Sequence, residues 1–210
     1  MSPLSDPSYP SDVRAALLDA ARSELVERGV SGLSLRSIAE RAGVSRATPK
    51  WHFGDRAGLL TAVAAEGFRL LGEALSTAAA GAGQDTSARF SALGLAYLRF
   101  GLNNPALFDL MFRPDQLHAD DPDLVASQQQ PFSVLRQATA TMSGPEQEPG
   151  AAPPEELALL AWAAAHGLVV LVRDGAQQAM TRTPTAGETA KLAHSLVDAF
   201  TRGVRPPESA

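Results

Sequence analysis

Apolar residues recur every three or four positions along nearly the whole chain, the spacing that lays one stripe along an α-helix. Val13, Leu17, Ala21 and Leu25 make the first stripe, with Ser11 as its cap and Gly29 as its stop. A short helix follows, capped by Ser34, with Leu35, Ile38, Ala39 and Ala42 on one face. Gly43 breaks it, Val44 is expected to be buried in the turn, and Ser45 is placed as cap of a third helix reaching about His52. A long helix then runs from Arg56 to about Ala79, and a fifth from Thr86 to Asn103 carries Phe90, Leu93, Tyr97 and Leu98 inward. Asn103-Asn104-Pro105 ends that helix and starts a short one to Phe112. Three further helices are expected over about 122–142, 155–179 and 185–203. No segment alternates as a strand does, so the expected fold is all-α with about nine helices.

Proline and glycine punctuate this pattern. Ser143 to Pro154 holds four prolines and two glycines, the composition of a linker between helices. The organisation expected is a disordered arm over 1–10, a three-helix head over 11–55 and a larger helical body over 56–205.

Charge adds what the helical pattern does not. The 210 residues carry a net charge of −5, yet Arg28 to Arg56 holds Arg28, Arg36, Arg41, Arg46, Lys50 and Arg56 against only Glu40 and Asp55. That segment is +4 and the remainder −9, an asymmetry that points to a polyanion met at one place. A short helix, a glycine turn and a second short helix form the helix-turn-helix pattern, whose second helix enters the DNA major groove.

Composition removes other classes. Without cysteine there is no disulfide framework, cysteine zinc site, iron–sulfur cluster or thiol catalysis. The four histidines (His52, His118, His166, His194) lie far apart with no metal-ligand spacing. No nucleophile elbow, phosphate loop or dinucleotide fingerprint is present, so neither enzyme activity nor a metal or other cofactor is expected. The longest apolar window, Leu157 to Val172, is interrupted by Trp162, His166 and Gly167, and Met1 to Ser11 lacks the basic cluster of a signal peptide. These features lead to the expectation of a cytoplasmic protein without a membrane span.

The run Leu35-Arg36-Ser37-Ile38-Ala39-Glu40-Arg41-Ala42-Gly43-Val44-Ser45, followed by Thr48, His52-Phe53 and Leu59-Leu60, resembles the N-terminal domain of the tetracycline-repressor-like (TetR) family of bacterial transcription regulators. The resemblance covers about Ser11 to Leu60, and Trp162 to Gly167 is similar to the tryptophan–histidine–glycine signature of one C-terminal subgroup. Lys50 stands where most family members have tyrosine, and Pro49 is a second departure.

The resemblance implies a DNA-binding regulator. We expect a repressor released from a palindromic double-stranded operator by a small apolar or aromatic ligand. The alternative is a DNA-binding dimer without an inducer, its body a scaffold or a protein sensor. Arg36, Ser45, Arg46, Thr48, Lys50, Trp51, His52 and Arg56 are the candidate DNA contacts, Trp51 being equally readable as packing beside Phe53. Phe100, Phe108, Met111, Phe112, Trp162 and His166 are candidate ligand contacts, with a core role as the competing reading for His166 and for the Phe100, Phe108, Met111 and Phe112 stripe. A homodimer is expected through the last two helices, with Leu157, Leu160, Val169 and Val172 on one and Leu192, Leu196, Val197 and Phe200 on the other.

Overall fold

A computed structural model describes residues 9–143 and 153–175, together with Ser195, Val197 and Ala199. The arm before residue 9, most of the proline-rich linker and nearly all of the expected last helix, with Leu192, Leu196 and Phe200, lie outside the described residues. Among those described there are eight α-helices and no strand. They are α1 (Tyr9–Gly32), α2 (Leu35–Ala42), α3 (Thr48–Phe53), α4 (Arg56–Gly81), α5 (Thr86–Asn103), α6 (Pro105–Met111), α7 (Pro122–Ser143) and α8 (Pro154–Arg173).

Two compact units emerge. The first comprises residues 1–67 and 106–127, and the second 68–105 and 128–210. In the first, Leu17, Leu25, Ile38, Ala39, Leu59, Leu60 and Val63 are fully or almost fully buried, so α1, α2 and the start of α4 share one small core. The same core takes in Phe108, Leu110 and Met111 of α6. Phe108 stacks on Phe112 at 5.0 Å. Gly67 of α4 approaches Met111 so closely that a Cβ there would stand 2.7 Å from the sulfur. Phe108 and Met111, read from sequence as candidate ligand contacts, are therefore core residues of this unit.

Local rules explain most boundaries. Ser34 caps α2 by accepting from the Ser37 amide, and Gly43 closes it at φ 69, a left-handed conformation that strains a side chain. Gly29, at φ 67, interrupts α1 where the sequence placed its stop. The chain is nonetheless helical from Tyr9, two residues before the expected Ser11 cap, because Pro10 is tolerated in a first turn. Asp85 caps α5 through the amides of Ser87 and Ala88. Val44 is half-buried rather than buried.

α8 departs from its expectation twice. It ends at Arg173, before Gly175 at φ 72, instead of continuing to residue 179. It is also long and apolar enough to cross a membrane by length and composition, which corrects the view that no segment reaches that measure. Alanine supplies much of that character. Ala158, Ala161 and Val169 are buried against the second unit's own core, where α8 packs on α5. Of the four α8 residues expected at a dimer face, Val169 is thus turned inward, Leu157 and Val172 are half-buried, and Leu160 is exposed.

Candidate nucleic-acid interface and body cavity

The helix-turn-helix is held by polar contacts as well as by its core. Glu24 of α1 is only 2% exposed, and its carboxylate accepts from the Ser37 hydroxyl at 2.6 Å and faces Arg41 at 3.6 Å. Arg41 also forms a two-pronged ion pair with Glu27, which lowers the Glu27 carboxyl and raises the guanidinium. Sequence reasoning missed Glu24. A charge among apolar stripe positions was the available signal, and it becomes readable only once α2 is seen to lie over it.

The start of the recognition helix differs from the expectation in an instructive way. Ser45 is not its cap: the Thr48 amide bonds back to the Ser45 carbonyl, and the two hydroxyls stand 2.8 Å apart, so Ser45 to Ala47 is a turn. The helix opens at Thr48 with Pro49 at its first positions, buried, where a missing N–H breaks no bond. The helix is therefore only six residues long. Phe53 at its end receives Arg14 of α1 over its ring at 5.6 Å. His52 packs edge-on to Trp51 at 4.7 Å, and burial, then the Arg14 charge, lowers its imidazole from the ordinary value, keeping it neutral at pH 7.

The six cations of the segment divide into two kinds. Arg28, Arg36, Arg46 and Lys50 are exposed, as is Trp51 at 76%. Arg36 reaches Glu40 at 3.0 Å and Arg46 reaches the same carboxylate at 3.4 Å, while Lys50 has no ion-pair partner among the described residues. Exposed pairs of this sort hold about 0–1 kcal/mol, so a phosphate competes with them readily. Arg41 and Arg56 are instead committed to the protein. Arg56, expected on phosphate, donates to the carbonyls of Val30 at 2.6 Å and Leu33 at 3.0 Å and to Gln116 at 3.4 Å. It brackets the start of α4 to the α1–α2 turn. Asp55 completes that junction by accepting from the Gly58 amide and pairing with His118 at 3.1 Å, contacts that lower its carboxyl.

The second unit holds an open-sided cavity of about 280 Å³. Its walls come from Leu75 of α4, Phe90, Leu93, Gly94 and Tyr97 of α5, Leu135 of α7, Ala161, Trp162, Ala164, Ala165 and Leu168 of α8, and Val197. Three of the five α8 residues on these walls are alanine, Ala161, Ala164 and Ala165. Of the six sequence candidates only Trp162 lines it. Phe100 is buried in the same unit away from these walls, and Phe108, Met111 and Phe112 belong to the first unit.

The cavity's polar feature is one the sequence did not single out. Trp162 Nε1 donates to the Tyr97 hydroxyl at 2.9 Å, and that oxygen stands 3.1 Å from His166 Nδ1. Trp162 and His166, four apart on α8, thus grip one phenol from α5. Burial pushes the Tyr97 phenol well above its ordinary value, so it stays protonated. Burial, and then the Arg173 charge, pushes the His166 imidazole below 6.5. A histidine with a depressed folded value leaves stability unchanged above the unfolded value. As pH falls below about 6.5 the unfolded chain takes up the proton first, and stability declines until the folded value is reached. Melting temperatures between pH 8 and pH 5 should fall more steeply for the native chain than for His166→Gln. Parallel curves would remove His166 from this account.

Comparisons with known proteins agree with this architecture. Residues 90–202 match the family described as Tetracyclin repressor-like, C-terminal domain, and residues 17–63 match Bacterial regulatory proteins, tetR family. The HTH-type transcriptional regulator BetI of Burkholderia thailandensis is 38% identical over 80 residues, 38% of this chain and 41% of that protein. The HTH-type transcriptional regulator TtgR of Pseudomonas putida is 40% identical over 52 residues, a quarter of each chain. The chain thus spans well under half the length of these curated relatives. A solved structure of a protein with unknown function from Rhodococcus sp. RHA1 aligns with TM-score 0.79 and 31% identity over 98% of this chain and 100% of that one. A TetR-family transcriptional regulator from Pectobacterium atrosepticum aligns with TM-score 0.71 at 22% identity, covering 95% and 97%. The latter likeness concerns the fold.

Proposed function

Because the chain belongs to the TetR family of bacterial transcriptional regulators, with its helix-turn-helix DNA-binding domain, we propose that it is a cytoplasmic homodimeric repressor that leaves its operator when a small apolar ligand fills the cavity of the second unit. The cavity itself carries this reading. A space of about 280 Å³ with predominantly apolar described walls and a few polar groups is close to the size and lining at which small-molecule sites begin. Such a space fits a small apolar occupant.

The head, residues 11–55 in this reading, meets DNA through α3. Arg46, Thr48, Lys50 and Trp51 face bases and adjacent phosphates, with Arg36 and Ser45 on the backbone. Phosphate contacts supply affinity and salt dependence, base contacts supply choice of sequence. Lys50→Ala is expected to flatten the slope of log affinity against log salt by about one. An unaltered slope would take Lys50 off the phosphate.

Six helical residues read too few base pairs for useful selectivity, so two heads act together on a palindrome with centres roughly 34–36 Å apart. TetR-family regulators usually act as dimers. The exposed α8 residues Leu160 at 53% and Leu171 at 44%, with Gly167 between them on the same face, form the described part of the proposed interface. Light scattering should give twice the chain mass for the native protein and the single mass for a Leu160→Glu, Leu171→Glu double variant. A monomeric native protein at micromolar concentration would refute the dimer. Ligand and operator then communicate through a shared conformational preference, with α4, which holds both Arg56 and Leu75, as the route.

The deciding experiment is a gel shift with DNA upstream of the neighbouring genes, repeated with compounds that raise the melting temperature in a thermal-shift screen. Release of DNA by such a compound is the expected result. DNA binding that no stabilising compound alters would leave a regulator without a small-molecule inducer.

A further inference from the structure

The two acids of the basic segment divide as its cations do. Asp55 is committed to the Gly58 amide and to His118 at the start of α4. Glu40 stands in the last turn of α2 with its side chain 54% exposed. Its Oε1 takes Arg36 Nε at 3.0 Å and Arg46 Nη2 at 3.4 Å. One carboxylate oxygen thus ties a cation of α2 to a cation of the turn that enters the recognition helix. Helix stability does not account for this acid. A carboxylate is unfavourable at the negative end of a helix dipole. The Arg36–Glu40 pair also runs in the weaker order, since an acid supports a helix better when it precedes its base.

Resting on the reading of this face as the one that meets DNA, we propose that Glu40 is a positioning residue that makes the head selective. It orients Arg46 toward a guanine edge and withholds Arg36 and Arg46 from the phosphates of unrelated sequence. A guanidinium carries five N–H donors, so Arg46 held through Nη2 keeps enough of them to bond guanine O6 and N7 together. That contact requires one direction, and a side chain already tethered loses less freedom in taking it. Phosphates can be met from many directions. To reach one beyond the tether, either arginine leaves Glu40, and the carboxylate is then unpaired beside a polyanion, which weakens binding to the wrong partner. Operator binding keeps the tether and recovers through the oriented Arg46 what the repulsion removes.

The full-length native chain first selects its tightest duplex from a randomised pool, and a scrambled duplex of equal length and base composition serves as competitor. Selectivity is the ratio of the two affinities at one fixed salt concentration. In Glu40→Gln it should fall about two- to tenfold, what two exposed ion pairs are together worth, chiefly because the scrambled duplex binds more tightly. The salt slope on the scrambled duplex should steepen by about one for each arginine released to a phosphate. A pool selected by Glu40→Gln should lose its preference mainly at one guanine in each half-site. With Arg46→Ala already in place, Glu40→Gln should change the ratio by less than about twofold, a coupling that a structural role for Glu40 does not produce. An unchanged ratio, a loss spread over all positions, an equal fall without Arg46, or a matched fall in melting temperature would overturn the proposal and leave the DNA face standing. A native chain that selects no sequence, or whose affinity survives Arg46→Ala with Lys50→Ala, would remove that face and this proposal with it.

Discussion

Replacing Arg46 and Lys50 together by alanine is expected to lower affinity for operator DNA by roughly 30- to 1,000-fold, the equivalent of about 2–4 kcal/mol, with the melting temperature almost unchanged. Each side chain stands at the exposed start of the recognition helix, where a base or phosphate contact is worth about 1–3 kcal/mol. Neither is bound into the fold. Arg46 touches Glu40 only at 3.4 Å with two-thirds of its side chain in water, and a surface pair of that kind contributes little stability. The loss should be greatest at low salt, since the entropy gained from each released counterion shrinks as salt rises. Gel shifts at two salt concentrations, beside a thermal melt, make the measurement. Unchanged operator affinity in the double variant would sink the assignment of α3 as the reading helix. A matched fall in affinity and melting temperature would show that the head had been damaged instead.

Phe108→Ala is expected to cost about 3–5 kcal/mol, because a ring that is 1% exposed leaves a cavity its neighbours cannot close. For a chain of this length that is a fall in melting temperature of roughly 6–20 °C. Phe108 stacks on Phe112 and shares its core with Leu110 and Met111, in the compact unit that does not hold the cavity. Ligand affinity, measured well below the melting transition, should stay close to native. The contrary pattern, a native melting temperature with ligand binding abolished, would put Phe108 back on the ligand side and overturn the core assignment.

These two outcomes mark where sequence reading succeeds and where it stops. α2 and α5 were legible almost to the residue, because Ser34, Gly43 and the Asn104-Pro105 junction impose caps and breaks through bonds to their own neighbours in the chain. The helix-turn-helix and its excess of cations were legible for the same reason: spacing and charge are properties of a short segment. The start of α3 was misplaced by two residues, the cap falling at Ala47 instead of Ser45, and the choice rests on where Pro49 is buried.

The body shows the limit more sharply. Trp162 and His166 were visible as a pair four residues apart, but Tyr97, which they hold, lies more than sixty residues away and read as one more apolar position of α5. Arg56 read as a free cation until the carbonyls of Val30 and Leu33 were seen to meet it. Phe108 and Met111 looked like pocket residues, and nothing in the spacing of α8 marked Ala161, Ala164 and Ala165 as cavity walls. The sequence by itself determined the helices, their caps, the basic head and the family resemblance, since each depends on side chains within a turn or two of one another. Which apolar stripe is packed solid, which lines open space, and which cation is spent on a carbonyl were decided only by tertiary structure. Those outcomes depend on the volumes and bonding groups that distant helices bring to the same place.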